Sequence, residues 1–282
     1  MLKVKLTLVW VLLMATQAWA QLSTSPAFPT DGGNVTITFN AAKGNKALMN
    51  YATTSDVYVH CAVITNLSAN GGDWRYNKFT WGVVNAAAKA TPSGTNRYTY
   101  SITNIRTFFG VPAAETIQKI VIVFRNGTGS IVAKNDDWTD MYVRVGKSGV
   151  IQARLSTPAM KSTFNTTPET ITATLGASYT VGGTASASTN LKLQHNGVQF
   201  ANVTGTSVSG SRTITAGNQK FKLIPNNDAT KADSFSFFIP AASTVAALPA
   251  GVRDGINYVS STSATLVLHA PGKNNVILLG DF

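Results

Sequence analysis

Three aromatic residues, Trp74, Tyr76 and Trp81, lie in the polar, glycine-bounded stretch GDWRYNKFTWG at 72–82. Flat indole and phenol faces pack on the C–H faces of sugar rings, while neighbouring polar groups bond the hydroxyls. Trp and Tyr suit this because they combine apolar area with a polar handle. Just upstream, DVYVHCAVIT at 56–65 alternates. Alternation puts Tyr58 and His60 on one face of a strand, where they can flank such a platform. These five residues are the candidate binding set. One or two of the aromatics can equally be core anchors, since sandwiches often bury a Trp. Trp138 follows an acidic turn, and a packing role is expected for it.

The residues needed for catalysis do not assemble in the sequence. Glycoside hydrolysis needs two facing carboxylates, and the only glutamates are Glu115 and Glu169, in different predicted units. Asp136, Asp137 and Asp140 cluster, and oxygen ligands suit calcium, but an exposed turn is the simpler reading. His60, His195 and His269 are far apart and match no metal-ligand spacing. There is no Gly-x-Ser-x-Gly elbow and no phosphate-cradling glycine motif. Cys61, the single cysteine, sits in an apolar strand and reads as a buried structural thiol. The sequence therefore assigns no catalytic residue, metal or cofactor.

The elements that must position the aromatics are strands. Of the 282 residues, 44% are hydrophobic and only 12% charged, with Gly, Ser, Thr and Asn making up the difference. That is the composition of turns and half-exposed strands rather than of a helical bundle. The net charge of +11 invites a nucleic-acid reading, but no two Lys or Arg residues are adjacent, so no basic run exists. Residues 1–20 read as a leader for export: Lys3 and Lys5, an apolar stretch from Leu6 to Ala15, then Ala18-Trp19-Ala20 before Gln21. That stretch is too short to span a membrane comfortably, and no later one is long enough. The expectation is an exported chain, secreted, periplasmic or held at the cell surface. Nothing in it calls for an obligate oligomer.

Asn34–Phe39, Asp56–Val59, Arg97–Ile102 and Met141–Val145 alternate with period two, while Ile117–Phe124 is continuously apolar, as in a central strand. A helical turn is expected near Asn104–Phe109, limited by Pro112. Further strands are expected at Ile151–Ser156, Thr170–Leu175, Ser178–Val181, Phe221–Ile224 and Ser234–Ile239. Asn190–His195 and Val198–Val203 flank Asn196-Gly197, a type I′ hairpin signal. The organisation expected is all-β: one immunoglobulin-like sandwich at 21–146 and a second at 147–242. A connector at 243–255 and the incomplete start of another sandwich at 256–282 follow. That last segment offers two strands, Ala264–His269 and Asn275–Leu279, which cannot make a sandwich alone.

The same residues carry a family resemblance. DVYVH, DWRY…W, RYTYSI, IRTFFGVPAAETI and VFRNGTGS make the first unit similar to carbohydrate-binding module family 26, the starch-binding module of secreted bacterial amylases. LKLQHNGV and DSFSFFI resemble the immunoglobulin-like spacer of those enzymes. The segment from LPAGVRDGINYV to ILLGDF resembles the start of the early-set sandwich preceding the catalytic barrel of glycoside hydrolase family 13. The resemblance implies an α-glucan such as starch or glycogen as partner, Tyr58, His60, Trp74, Tyr76 and Trp81 as sugar contacts, and a non-catalytic region of an α-amylase-like enzyme. A non-enzymatic surface glycan-binding protein and a structural or adhesive sandwich array are the alternatives.

Overall fold

The alternating segments form strands because each has one apolar face to bury. The computed structural model describes residues 20–242, 247–273 and 276. The leader expected at 1–20 lies outside them apart from Ala20, as do part of the connector and, apart from Val276, the strand expected at Asn275–Leu279. The first part of the chain runs β1 (Leu22–Ser25), β2 (Val35–Asn40), β3 (Val57–Thr65), β4 (Thr91–Gly94), β5 (Arg97–Ile102), α1 (Ile105–Phe109), β6 (Ile117–Asn126), β7 (Val132–Ala133) and β8 (Met141–Arg144). One antiparallel sheet has the order β1-β2-β5-β4. In the other, β6 pairs with β3 on one side and with β7 and β8 on the other. The inner faces share one core that includes Ile37, Phe39, Val59, Cys61, Val63, Ile122 and Phe124. Phe39 and Phe124 stack across the two sheets at 4.5 Å.

The helical turn forms where expected, but a glycine ends it. Asn104 caps its start by accepting from the Thr107 amide, and Gly110 closes it in the left-handed region at φ 72°.

The outer face of the second sheet positions the candidate site. Tyr58, His60, Ala62 and Ile64 of β3 point outward, opposite Arg125, Val123, Val121 and Lys119 of β6. At one end this face is sealed by a small second core of Ala62, Ile64, Val121 and Tyr142, with Trp74 and Phe164 packed on it.

The chain continues through β9 (Ala153–Thr157), β10 (Ser178–His195), β11 (Val198–Thr213), β12 (Gly217–Pro225) and β13 (Asp233–Ile239). Asn196 and Gly197 take the positive φ of the expected hairpin, 48° and 84°. The strands they join are far longer than expected, and a register shift between Thr184 and Thr189 bends β10. The half of β10 before the shift pairs with β9, and the half after it with β12. The bend folds the sheet over itself: a Cβ on Gly183 would lie 2.5 Å from Leu223 of β12. The enclosed core centres on Phe221 with Tyr179, Leu191, Leu193, Val208 and Phe235.

Thr170–Leu175 is not a strand. Its period is right, but it finds no strand edge to pair with, and Ile171 and Leu175 stay exposed. Last come β14 (Gly255–Ser260) and β15 (Ser263–Val267), a hairpin whose Ile256, Tyr258 and Leu266 are exposed.

Candidate functional site

Segment 74–90 lies along the free edge of β3 and carries the candidate aromatics. Arg75 bridges Val63 through both backbone bonds, 2.9 and 3.0 Å, the Lys78 amide donates to the Cys61 carbonyl, and the Ala90 amide to the Val57 carbonyl. Val63 points into the core, so its partner Arg75 points inward and Trp74 falls on the outer face. The Trp74 ring stacks on His60 at 5.6 Å with 27° between planes. Simple alternation would put Tyr76 beside it. Instead Tyr76 has φ 57°, which breaks the alternation and turns its ring against the main core. There its hydroxyl donates to the Glu115 carboxylate, which also accepts from Thr65. Tyr76 thus braces the segment from within.

Trp81 returns to the outer face. Its ring meets His60 edge-on at 5.1 Å and 86°, and it is 47% exposed. Two features hold it. A Cβ on Gly129, in the turn after β6, would stand 2.9 Å from the indole nitrogen, so the ring lies directly on that glycine. Beneath it sits Arg125, fully buried, whose guanidinium is 5.7 Å from the Trp81 ring and 5.8 Å from the Tyr58 ring. Its Nη1 donates to the carbonyls of Asn126 and Gly127, and its Nη2 to that of Val83. One side chain thereby ties the loop bearing Trp81 to the turn bearing Gly129. Tyr58 is 7% exposed and belongs to the core. It shares the expected face with His60, but Arg125 and its neighbours cover it, so no ligand can stack on it.

His60 lies between the two indoles. Burial lowers its pKa, and the positive Arg125 lowers it further against the opposing Asp140. The imidazole is therefore neutral at pH 7, and its Nδ1 is buried without a partner. Across β6 the register brings Lys134 and Asp140 next to Val123, and the two pair at 2.9 Å. The result is an aromatic ridge with neutral His60 between indoles and an ion pair nearby. Such a surface offers C–H packing and hydroxyl hydrogen bonds.

The sequence reading missed Arg125, whose signal is a lone cation closing an apolar run. It also misplaced Trp138, which is 70% exposed at the tip of the loop before β8, with φ 65°. A bulky residue in that region is uncommon, and no core covers the ring. Of the aspartates beside it, Asp136 pairs with Lys161, Asp137 accepts from Thr139, and Asp140 pairs with Lys134. These contacts make a braced turn. Cys61 is fully buried, and burial pushes its thiol pKa well up. Among the described residues, no three His, Cys, Asp or Glu side chains group as a metal site. No helix among them is long and apolar enough to cross a membrane.

No protein-family model matches the chain, and no curated protein matches it. Among solved structures it is similar to the fibronectin(III)-like modules of CbhA from Clostridium thermocellum. That match has 13% identity and a TM-score of 0.26, and covers 78% of this chain and 94% of that one. The class defined by the strand pairing itself is an all-β chain of β-sandwiches.

Proposed function

We propose that this is an exported α-glucan-binding protein and that the first sandwich holds the glucan. The observation that carries the reading is the Trp81 ring, half-exposed yet fixed on Gly129 and Arg125 beside His60 and Trp74. A sugar ring stacks on the open indole face, and Lys134 and Asp140 bond its hydroxyls. Tyr58 and Tyr76 support the platform from below rather than touching sugar. By its resemblance to starch-binding modules, the chain serves as the non-catalytic front of an α-amylase-like hydrolase, where tethering to polymer raises the local substrate concentration.

The test is retention of the full chain on insoluble starch, with cellulose as control and Trp81→Ala beside wild type. The expected result is starch-selective retention that falls about tenfold or more in the variant. The circular dichroism should not change, because the ring is half in solvent. Equal retention of both proteins, or none by a folded wild type, would sink the reading.

A further inference from the structure

Away from the aromatic ridge, a cavity of about 400 Å³ opens between β1, β8, β9 and the loop after β9. Its charged lining residues are Arg144, Arg154 and Lys161, and no carboxylate lines it. Two of the three cations are satisfied. Arg144 donates to Asp233 at 2.9 Å, and Lys161 holds Asp136 at 2.8 and 2.9 Å. Arg154 is not. Its guanidinium lies 4.6 Å over the Phe28 ring, and among the described residues it has no hydrogen bond and no ion pair.

The neighbouring carboxylate attracts it but makes no hydrogen bond to it. Asp233, 7% exposed, already accepts from Arg144 and Thr166 on Oδ1 and from the Leu155 amide on Oδ2. A fourth cation, Lys119, sits close by, with its Nζ on the Phe164 carbonyl at 2.7 Å. Burial, then Arg144, pushes Lys119 down to about 8. Burial and Arg144 likewise lower Arg154, against the opposing attraction of Asp233. Around Asp233 the junction therefore holds three cations, Arg144, Arg154 and Lys119. A half-buried guanidinium without an acceptor is a costly arrangement unless an anion supplies one.

We propose that this cavity is a binding site for a small oxyanion, gripped by the Arg154 fork, with the hydroxyl of Ser162 completing the contact. The guanidinium geometry favours bidentate phosphate or carboxylate. Leu22 and Met160 on the same walls leave room for an apolar body behind the charged head.

The probes are inorganic phosphate and acetate, each titrated into the full chain at constant ionic strength with chloride as the balancing anion. Tm is the readout. The expected result is a saturable rise of several degrees with at least one probe, and which probe acts tells phosphate from carboxylate. Arg154→Gln should weaken the apparent affinity about tenfold or more, and Arg154→Lys, which keeps charge but loses the fork, should fall between. In parallel, phenylglyoxal labelling of wild type should show the active probe protecting Arg154 while leaving the exposed Arg253 reactive. No saturable rise with either probe, an equal rise in a folded Arg154→Gln, or equal labelling of Arg154 with and without the probe overturns the proposal.

Discussion

Arg125 is a buried cation held by carbonyls on its two Nη atoms and by rings, while its Nε is buried without a partner. Three backbone oxygens accept from it, and among the described residues no carboxylate bonds to it. Such a group is replaceable only by another that fills the same three acceptors. Arg125→Met leaves those carbonyls stranded and removes the support beneath Trp81. We expect it to cost about 3 kcal/mol in chemical denaturation and to lose starch retention even where it remains folded. His60 carries a second expectation. Because burial and Arg125 lower its pKa, the imidazole is already neutral at pH 7 and stays so above it. Starch retention should then be flat from pH 7 to 9, and a fall across that window would show that a charged His60 is required.

At the scale of elements, the site depends on a turn and a loop meeting closely. Gly129 has φ 75° and the Trp81 ring against it. Gly149 has φ 77° and nothing within 4 Å of a built Cβ. The pair separates backbone strain from displacement of the ring. Gly129→Ala and Gly149→Ala should each lose about 1 kcal/mol of stability from the left-handed backbone. Only Gly129→Ala should also weaken starch retention, because only there must an indole move. Equal retention by the two variants would show that Trp81 need not lie on that glycine.

At the scale of the whole molecule, Asp31 ties distant segments together. Its Oδ2 accepts from Arg106 at 2.6 Å, and its Oδ1 accepts from the amide and hydroxyl of Ser148, both at 2.9 Å. Burial alone would raise its pKa, but these hydrogen bonds outweigh it and hold the carboxyl at about 2, below its ordinary 3.8. The folded state therefore favours the charged form. The resulting stability is fully present above pH 4 and is lost as pH falls through 2. It amounts to about 2 kcal/mol by linkage. Denaturation series at pH 5, 3 and 2 should show this loss in wild type and not in Asp31→Asn. A variant that loses as much would place the acid sensitivity elsewhere.

The all-β class and most of the elements follow from local residue patterns alone. Alternation in Asn34–Phe39 and Arg97–Ile102, the apolar run of Ile117–Phe124 and the Asn196-Gly197 turn each dictate local backbone, because burying one face needs period two and tight turns need positive φ. The sequence also marked the stretch that holds Trp74 and Trp81. What it could not decide was which ring faces solvent. That depends on Arg75 registering against Val63, on the left-handed Tyr76 that turns one aromatic inward, and on Arg125 arriving under Trp81 from another strand. Thr170–Leu175 fails as a strand for a related reason: strand structure needs a free edge as well as a pattern, and where an edge is free is fixed only by the assembled sheets.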